Sequence, residues 1–302
     1  MSQPFVVRFR WRLAVFCSTA WLNASLGLAS QPGPDPAAAL LARYAAASER
    51  LEHSPFRRPL EVESFEDARA SGSDIYAIVN HPIATVSDAF TNPTGWCDAL
   101  ILHFNVKYCH PTAHDERIVL SVAIGKKREQ TLGSAHRVEF DFGVVALRPD
   151  YVAVELVAAK GPYGTGNYRI ALEAVRIDDE RSFVHVWYSY TYGFVGRVAM
   201  QMYLATSGSG KVGFTIIGDP NDPRPKFIGG ARGAIERNTM RYYLAIEAYL
   251  DALATPATER FEQSAEQWFS ATERFSLQLH EIGHDSYISM KRNEYRRQQS
   301  TP

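Results

Sequence analysis

A series of strand-like segments followed by one long helical segment constrains the fold of this chain more than any other feature. Six segments are rich in β-branched or aromatic residues and are separated by turn-forming residues. These candidate strands cover residues 100–108, 117–125, 137–147, 150–159, 168–177 and 182–192. The hydrophobic period then changes, and residues 229–253 carry apolar side chains at helical spacing. Strands grouped ahead of a helix predict an α+β protein with an antiparallel sheet.

The last candidate strand carries aromatic side chains on both of its faces. Because side chains alternate along a strand, Tyr188, Tyr190 and Tyr192 share one face, and His185 and Trp187 share the other. Aromatic residues on both sides indicate that this strand is covered twice, either by a helix or by the wall of a cavity.

Other segments extend this core in both directions. Residues 37–53 have the alanine content and spacing of a helix, and residues 74–81 form a short strand-like run. A helical segment starts at Pro82 and is interrupted near Pro93. Near the C-terminus, residues 260–284 predict a second, more charged amphipathic helix, which is followed by a polar tail.

The element order, together with the segment AIVNHPIATVSDAFTNPTGWCD (77–98), resembles the START-like superfamily, which includes polyketide cyclases. The resemblance covers about residues 74–253. It implies a helix-grip fold, in which a bent antiparallel sheet wraps around a long C-terminal helix and leaves an apolar cavity between them. Members bind lipids, sterols or other hydrophobic small molecules, and some catalyse cyclisations. The resemblance implies no cofactor and transfers no catalytic residue to this chain.

Several side chains within the strands and the long helix are candidates for binding such a ligand. They are aromatic residues with polar edges, or polar residues that stand among apolar neighbours. The candidates are Glu173, His185, Trp187, Tyr188, Tyr190, Arg241 and Tyr242. The alternative remains that the aromatic residues fill a core, that a buried Glu or His is a satisfied core residue, and that Arg241 belongs to a solvated helical face.

The N-terminus has the features of a secretory signal. Three arginines lie among the first twelve residues, and a mostly apolar stretch covers residues 13–28. Gly27 and Ala29 place small residues at the positions that a signal peptidase requires. We therefore expect an exported protein, periplasmic or secreted, with an uncleaved membrane anchor as the alternative. After cleavage no transmembrane span is expected, since the stretch is interrupted by polar residues.

These features divide the chain into four parts: a signal peptide at 1–29, a linker and N-terminal helix at 30–60, a START-like domain at 61–255, and a C-terminal amphipathic helix with a polar tail at 256–302. The formal net charge is only −1, which gives no electrostatic reason to expect a nucleic-acid partner.

Two cysteines remain after signal cleavage, Cys97 and Cys109. Export would place them in an oxidising compartment, where they can form a disulfide. The segment between them looks like a strand, which would hold its ends too far apart unless the chain turns back near Cys109. A disulfide and two buried thiols are both compatible with the sequence.

The sharpest catalytic motif is H-E-x-x-H at residues 280–284. On a helix, His280 and His284 would bind zinc and Glu281 would act as general base toward a metal-bound water. A third ligand is also needed, and only eighteen residues follow. We therefore favour a non-enzymatic protein that binds a hydrophobic small molecule or lipid. The alternatives are a zinc-dependent hydrolase and a non-catalytic envelope interaction protein.

Overall fold

An eight-stranded antiparallel sheet is the centre of the computed structural model, which describes residues 35–115, 117–206, 208–219 and 222–300. The predicted signal peptide lies outside these described residues. The strand order across the sheet is β1-β2-β8-β7-β6-β5-β4-β3. The strands are β1 (Leu60–Glu66), β2 (Ala70–Val79), β3 (Val106–His114), β4 (Arg117–Ile124), β5 (His136–Arg148), β6 (Tyr151–Lys160), β7 (Thr165–Arg176) and β8 (Ser182–Tyr192).

Eight α-helices accompany the sheet in the described part of the chain. They are α1 (Pro36–Glu52), α2 (Ile83–Phe90), α3 (Pro93–Leu100), α4 (Phe194–Ala205), α5 (Gly230–Asp251), α6 (Arg260–Glu273), α7 (Ser276–Leu279) and α8 (His284–Ser300). None of these helices combines the length and the apolar character needed to cross a membrane. The break between α2 and α3 follows from local chemistry, because the Asn92 side chain accepts a hydrogen bond from the Thr94 N–H at 3.0 Å and Pro93 occupies the first helical position.

The sheet bends around α5 and buries it almost completely. Strands β1, β2 and β8 contact one side of this helix, and helices α3 and α6 contact the other. Apolar residues of α5 such as Ile235, Met240, Leu244 and Ile246 lie in the core, and the charged side chains of Glu236, Arg237 and Arg241 are buried beside them. This arrangement is the helix-grip fold that the resemblance implies.

The opposite face of the sheet is covered by α1. Phe183 of β8 packs against Tyr44 of α1, with ring centroids 5.1 Å apart, in a smaller core that also contains Tyr151 and Val175. Strand β8 is therefore covered on both faces, as its aromatic pattern predicts, and the helices predicted at 37–53 and 229–253 are confirmed.

One strand prediction is wrong and one strand was missed. Residues 100–105 are not a strand: Leu100 ends α3, residues 101–105 form turns, and β3 begins only at Val106. Their apolar side chains pack into the core from a turn, a geometry that strand periodicity cannot distinguish from a buried strand. In addition, β1 was not predicted, because its charged residues conceal the alternation of Leu60 and Val62 toward the core.

The C-terminal region also differs from the prediction of one helix at 260–284. Helix α6 ends at Glu273, α7 is a single turn, and the supposed polar tail is helix α8. One face of α8 is buried, including Tyr287, Lys291 and Glu294. Their polar atoms are paired within the core, so a polar sequence is compatible with burial here.

The structure joins Cys97 of α3 to Cys109 of β3 in a disulfide, with the two Cα atoms 5.1 Å apart. The ends can approach because the intervening residues 100–105 turn instead of extending. The disulfide therefore closes the loop that carries His103 and Asn105.

Candidate functional site

A cavity of about 570 Å³ lies between the concave face of the sheet and helices α4 and α5. Its size falls within the range of about 300–1,000 Å³ that is typical of small-molecule sites. Its wall is mostly aromatic and apolar, and we call it the tyrosine cavity. It is lined by His103, Asn105, Ile124, Pro162, Tyr163, Thr165, Tyr168, Tyr188, Tyr190, Gly196, Ala199, Met200, Met202, Tyr203, Asn238 and Tyr242.

Four tyrosine rings form the continuous wall of this cavity. Tyr168 of β7 stacks on Tyr190 of β8 with centroids 5.4 Å apart, and Tyr188 meets Tyr242 of α5 at 5.1 Å. Alternation along β8 places Tyr188 and Tyr190 on the same side of the sheet. Strand β7 pairs with β8, and Tyr168 of β7 lies on that side as well. The wall therefore offers flat apolar faces with hydroxyl groups at their edges.

The hydroxyls of Tyr188, Tyr190 and Tyr242 form no hydrogen bond with any residue that the structure describes. Burial raises the pKa of all three, and neighbouring tyrosines add to the effect, so the hydroxyls stay protonated. Each can therefore donate one hydrogen bond and accept others. Tyr168 differs, because its hydroxyl is within 2.8 Å of the Thr165 Oγ1.

Only three of the seven ligand-binding candidates line the cavity: Tyr188, Tyr190 and Tyr242. Arg241 does not line it, although it lies between the lining residues Asn238 and Tyr242 on α5. It is only 1% exposed and its guanidinium donates to the Glu281 carboxylate at 2.7 Å, so it is not part of a solvated face.

The other three candidates lie on the opposite face of the sheet. His185 Nε2 is 2.7 Å from Asp74 Oδ1, and its Nδ1 is 3.3 Å from Glu173 Oε2. Trp187 shares this face, and its indole N–H donates to Ser189 at 2.8 Å. The structure thus separates Glu173, His185 and Trp187 from the tyrosine cavity because the period of a strand sends adjacent residues to opposite faces.

The environment of His185 predicts a pH-dependent contribution to stability. Burial lowers its pKa, but the hydrogen bonds to Asp74 and Glu173 outweigh burial, so the pKa is raised above 6.5. The folded protein therefore holds this proton more tightly than the unfolded chain does. The resulting stabilisation is complete below about pH 6.5 and is lost as pH rises through the raised pKa.

We expect the stability difference between the wild type and His185→Gln to decrease from pH 5.5 to pH 8 in urea unfolding. Asp74→Asn, which removes the negative charge of one of the two acceptors, should reduce this slope. A difference that stays constant across the pH range would contradict the assignment.

The H-E-x-x-H residues are not arranged as a metal site. His280 to Gly283 connect α7 to α8 and are not helical. His280 Nδ1 lies 3.0 Å from Glu273, and His284 Nε2 lies 2.7 Å from Glu266. Across the residues that the structure describes, no cluster of three or more His, Cys, Asp or Glu side chains is positioned to hold a metal ion. The zinc interpretation is not supported, because the motif requires His280 and His284 on one face of a single helix and residues 280–283 are not helical.

Glu281 instead belongs to an ion-pair cluster. Its carboxylate, with 7% of the side chain exposed, accepts hydrogen bonds from Arg241, Lys127 and Lys211. Burial tends to raise the Glu281 pKa, but the three cations lower it overall, so the carboxylate remains ionised. This residue links α5 to the chain that connects α7 and α8.

A second, larger groove of about 850 Å³ lies between β2, the end of α5 and residues 55–59. Its lining is rich in charged side chains: Arg58 pairs with Glu247 and His81 with Asp251 at 2.7 Å, and Arg57 and Arg274 also line it. Because the wall of the tyrosine cavity is mostly aromatic and apolar, that cavity is the better candidate site for a hydrophobic ligand.

Sequence reasoning missed His103, Asn105 and Asn238. His103, Asn105 and Lys107 fall within the segment 100–108 that the sequence predicts as a strand, where polar residues at alternate positions indicate a solvent-facing side. His103 is instead 2% exposed and Lys107 is fully buried. No local signal identifies His103, because it lies in a turn whose position depends on the packing of α3 and α8. Tyr168 had a signal, since alternation along its strand places it on the face of Ile170 and Leu172.

No family model matches the chain, and no curated protein matches it. Solved structures that are similar include an aromatase/cyclase from a Streptomyces species, with 10% identity, a TM-score of 0.32, and coverage of 68% of this chain and 96% of that one. Human StAR-related lipid transfer protein 5 has 10% identity, a TM-score of 0.31, and coverages of 56% and 91%. Norcoclaurine synthase from Thalictrum flavum has 9% identity, a TM-score of 0.31, and coverages of 46% and 84%. The strand order and the enclosed helix α5 are those of a helix-grip fold.

Proposed function

We propose that this protein binds a hydrophobic or amphipathic small molecule, such as a lipid, in the tyrosine cavity. The observation that carries the proposal is a cavity of about 570 Å³ whose aromatic wall presents the hydroxyl groups of Tyr188, Tyr190 and Tyr242, which have no hydrogen-bond partner among the described residues. Apolar faces favour burial of a ligand body by about 25 cal/mol per Å² of apolar surface, and a few polar groups fix its orientation.

We also propose that the protein acts after export. The N-terminal sequence supports this, and so does the Cys97–Cys109 disulfide, since such bonds persist in oxidising compartments and are rare in the cytosol. The N-terminal sequence of the mature protein, determined by mass spectrometry, tests the proposal: a chain that begins near residue 30 supports it, and an intact leader on a cytosolic protein contradicts it.

Filling the cavity should abolish binding without loss of the fold. Ala199 of α4 lines the cavity, whereas Ala205 of the same helix is exposed and does not. We expect Ala199→Trp to weaken binding of an environment-sensitive apolar probe by at least about tenfold, or roughly 1.4 kcal/mol. The matched control Ala205→Trp should leave the affinity unchanged.

Fluorescence titration measures both affinities, and native mass spectrometry after gentle purification shows whether a ligand is retained. The proposal fails if the wild type binds no probe and retains no small molecule. It also fails if Ala199→Trp, shown to be folded by its circular dichroism, binds the probe as tightly as the wild type does.

A further inference from the structure

An unsatisfied hydrogen-bond donor lies in the wall of the tyrosine cavity. The ring of His103 stacks on Tyr242 with centroids 4.8 Å apart, and its Nδ1 accepts a hydrogen bond from the Asn105 N–H at 3.1 Å. The neutral ring must then carry its proton on Nε2. Within the described residues, this Nε2 has no hydrogen-bond partner. A buried donor without a partner is energetically unfavourable, so a ligand that accepts its hydrogen bond gains affinity.

His103 is neutral because of both its burial and the charges around it. Burial lowers its pKa well below 6.5, and the next four contributions, which act in the same direction, all come from cations. They are Arg241 of α5, Lys291 of α8, Lys127 beyond β4 and Lys107 of β3. The electrostatic environment that disfavours a proton on this ring favours a negative charge beside it.

Ion pairs within the protein leave part of this positive charge uncompensated. Five basic side chains share two carboxylates: Arg241, Lys127 and Lys211 bind Glu281, and Lys107 and Lys291 bind Glu294. Two further charged groups act on Lys107: Arg297 and Glu129. Their charges are opposite, so together they add no net charge. The protein around the His103 side of the cavity therefore carries a net positive charge.

Asn238 adds a second polar group on the same wall. It lies one turn before Tyr242 on α5 and lines the cavity, and its side-chain amide makes no hydrogen bond with the part of the chain that the structure describes. An amide can both donate and accept, so it can bind a second oxygen of the group that His103 binds.

We propose that the cavity selects amphipathic molecules that carry an anionic oxygen group, of which a carboxylate is the simplest, and that this group accepts a hydrogen bond from His103 Nε2–H. This inference rests on the proposed function and deepens it. The apolar body of the ligand packs against the tyrosine wall, and Asn238 contacts the second oxygen. A neutral alcohol can take the hydrogen bond of His103 but leaves the surplus positive charge without a counterion.

Three probes with one apolar body test this inference: a pyrene-labelled fatty acid, its methyl ester and the corresponding alcohol. We expect the acid to bind the wild-type protein at least tenfold more tightly than the other two in fluorescence titrations. His103→Phe keeps a ring stacked on Tyr242 and removes the donor. In this variant the affinity for the acid should fall about tenfold, while the affinities for the ester and alcohol change less than twofold.

The same substitution at an exposed histidine, His114→Phe, is the matched control and should preserve the preference for the acid. Asn238→Leu is a second variant, in case His103→Phe does not fold, and it should also reduce the preference for the acid. Competition with unlabelled ligands separates two sources of the same chemistry: displacement by a saturated fatty acid supports an acyl carboxylate, and displacement by a polycyclic aromatic acid alone supports an aromatic carboxylate.

Equal affinities of the three probes for the wild type would overturn the inference and leave the proposed function intact. A preference for the acid that survives both His103→Phe and Asn238→Leu would overturn it as well. The absence of binding by any probe would contradict the proposed function and, with it, this inference.

Discussion

Glu294→Leu is expected to lower the free energy of unfolding by about 3–5 kcal/mol, because it leaves two buried ammonium groups without their shared counterion. The Glu294 side chain is fully buried; Oε1 accepts a hydrogen bond from Lys107 at 2.8 Å, and Oε2 accepts one from Lys291 at 2.6 Å. Burial already lowers the pKa of Lys291 to about 8, even with the carboxylate present. Urea unfolding at pH 7 measures the loss.

An exposed ion pair that also involves α8 is the matched control. Glu262 of α6 pairs with Arg292 of α8 at 2.8 Å, and both side chains are about half exposed. Glu262→Leu should cost no more than about 1 kcal/mol. The triple replacement of Lys107 and Lys291 by Met and Glu294 by Leu should recover part of the loss, since an apolar set of similar volume needs no counterion.

The recovery should be incomplete, because the Lys291 ammonium also donates to the carbonyl oxygens of His103 and Val106 at 2.7 and 2.8 Å. Replacing Lys291 removes both of these hydrogen bonds, and the His103 carbonyl then keeps only the Val106 N–H as a donor, at 3.0 Å. If Glu294→Leu were no more destabilising than Glu262→Leu, the buried cluster would not have the importance that its geometry implies.

Removal of the disulfide is the second change with a large expected effect. Cys97→Ala combined with Cys109→Ala should lower the free energy of unfolding by about 3 kcal/mol, mainly because a loop of this size gains conformational freedom in the unfolded chain. Thermal unfolding in the presence and absence of reductant measures it. The reductant should destabilise the wild type by a similar amount and leave the double variant unchanged.

The disulfide also closes the loop that positions His103. We therefore expect the double variant to bind ligand less tightly than the oxidised wild type, because part of the binding free energy is then spent on ordering that loop. Equal stability of the oxidised wild type and the double variant would show that the loop is held by its packing alone.

Much of the fold could be predicted from local patterns. The alternation along β8, the period of α5 and the capped break between α2 and α3 depend on neighbours within a few residues, and each is as expected in the structure. The resemblance to START-like proteins added the prediction of how these elements assemble. Tyr188, Tyr190 and Tyr242 could therefore be predicted to lie at the cavity.

The rest of the site could not be predicted in this way. Alternation shows that Tyr188 and His185 lie on opposite faces, but it does not show which face turns toward α5. Tertiary packing decides this, and it places Glu173, His185 and Trp187 on the face of the sheet opposite the cavity. The H-E-x-x-H string shows the same limit, because Glu281 is held by three cations from three distant segments and the motif is not helical.

The sequence by itself determined which segments become strands and helices over most of the chain, since hydrophobic period reports the local geometry of the backbone. Only the tertiary structure decided which charged residues are buried. Lys107 and Glu294 are separated by 187 positions, and each looks like a solvent-exposed residue in its own segment. Their burial is possible because each compensates the charge of the other, a condition that depends on distance in space and leaves no trace in the local sequence. The same packing leaves His103 neutral and buried beside the tyrosine cavity, and no residue that the structure describes accepts a hydrogen bond from its Nε2–H.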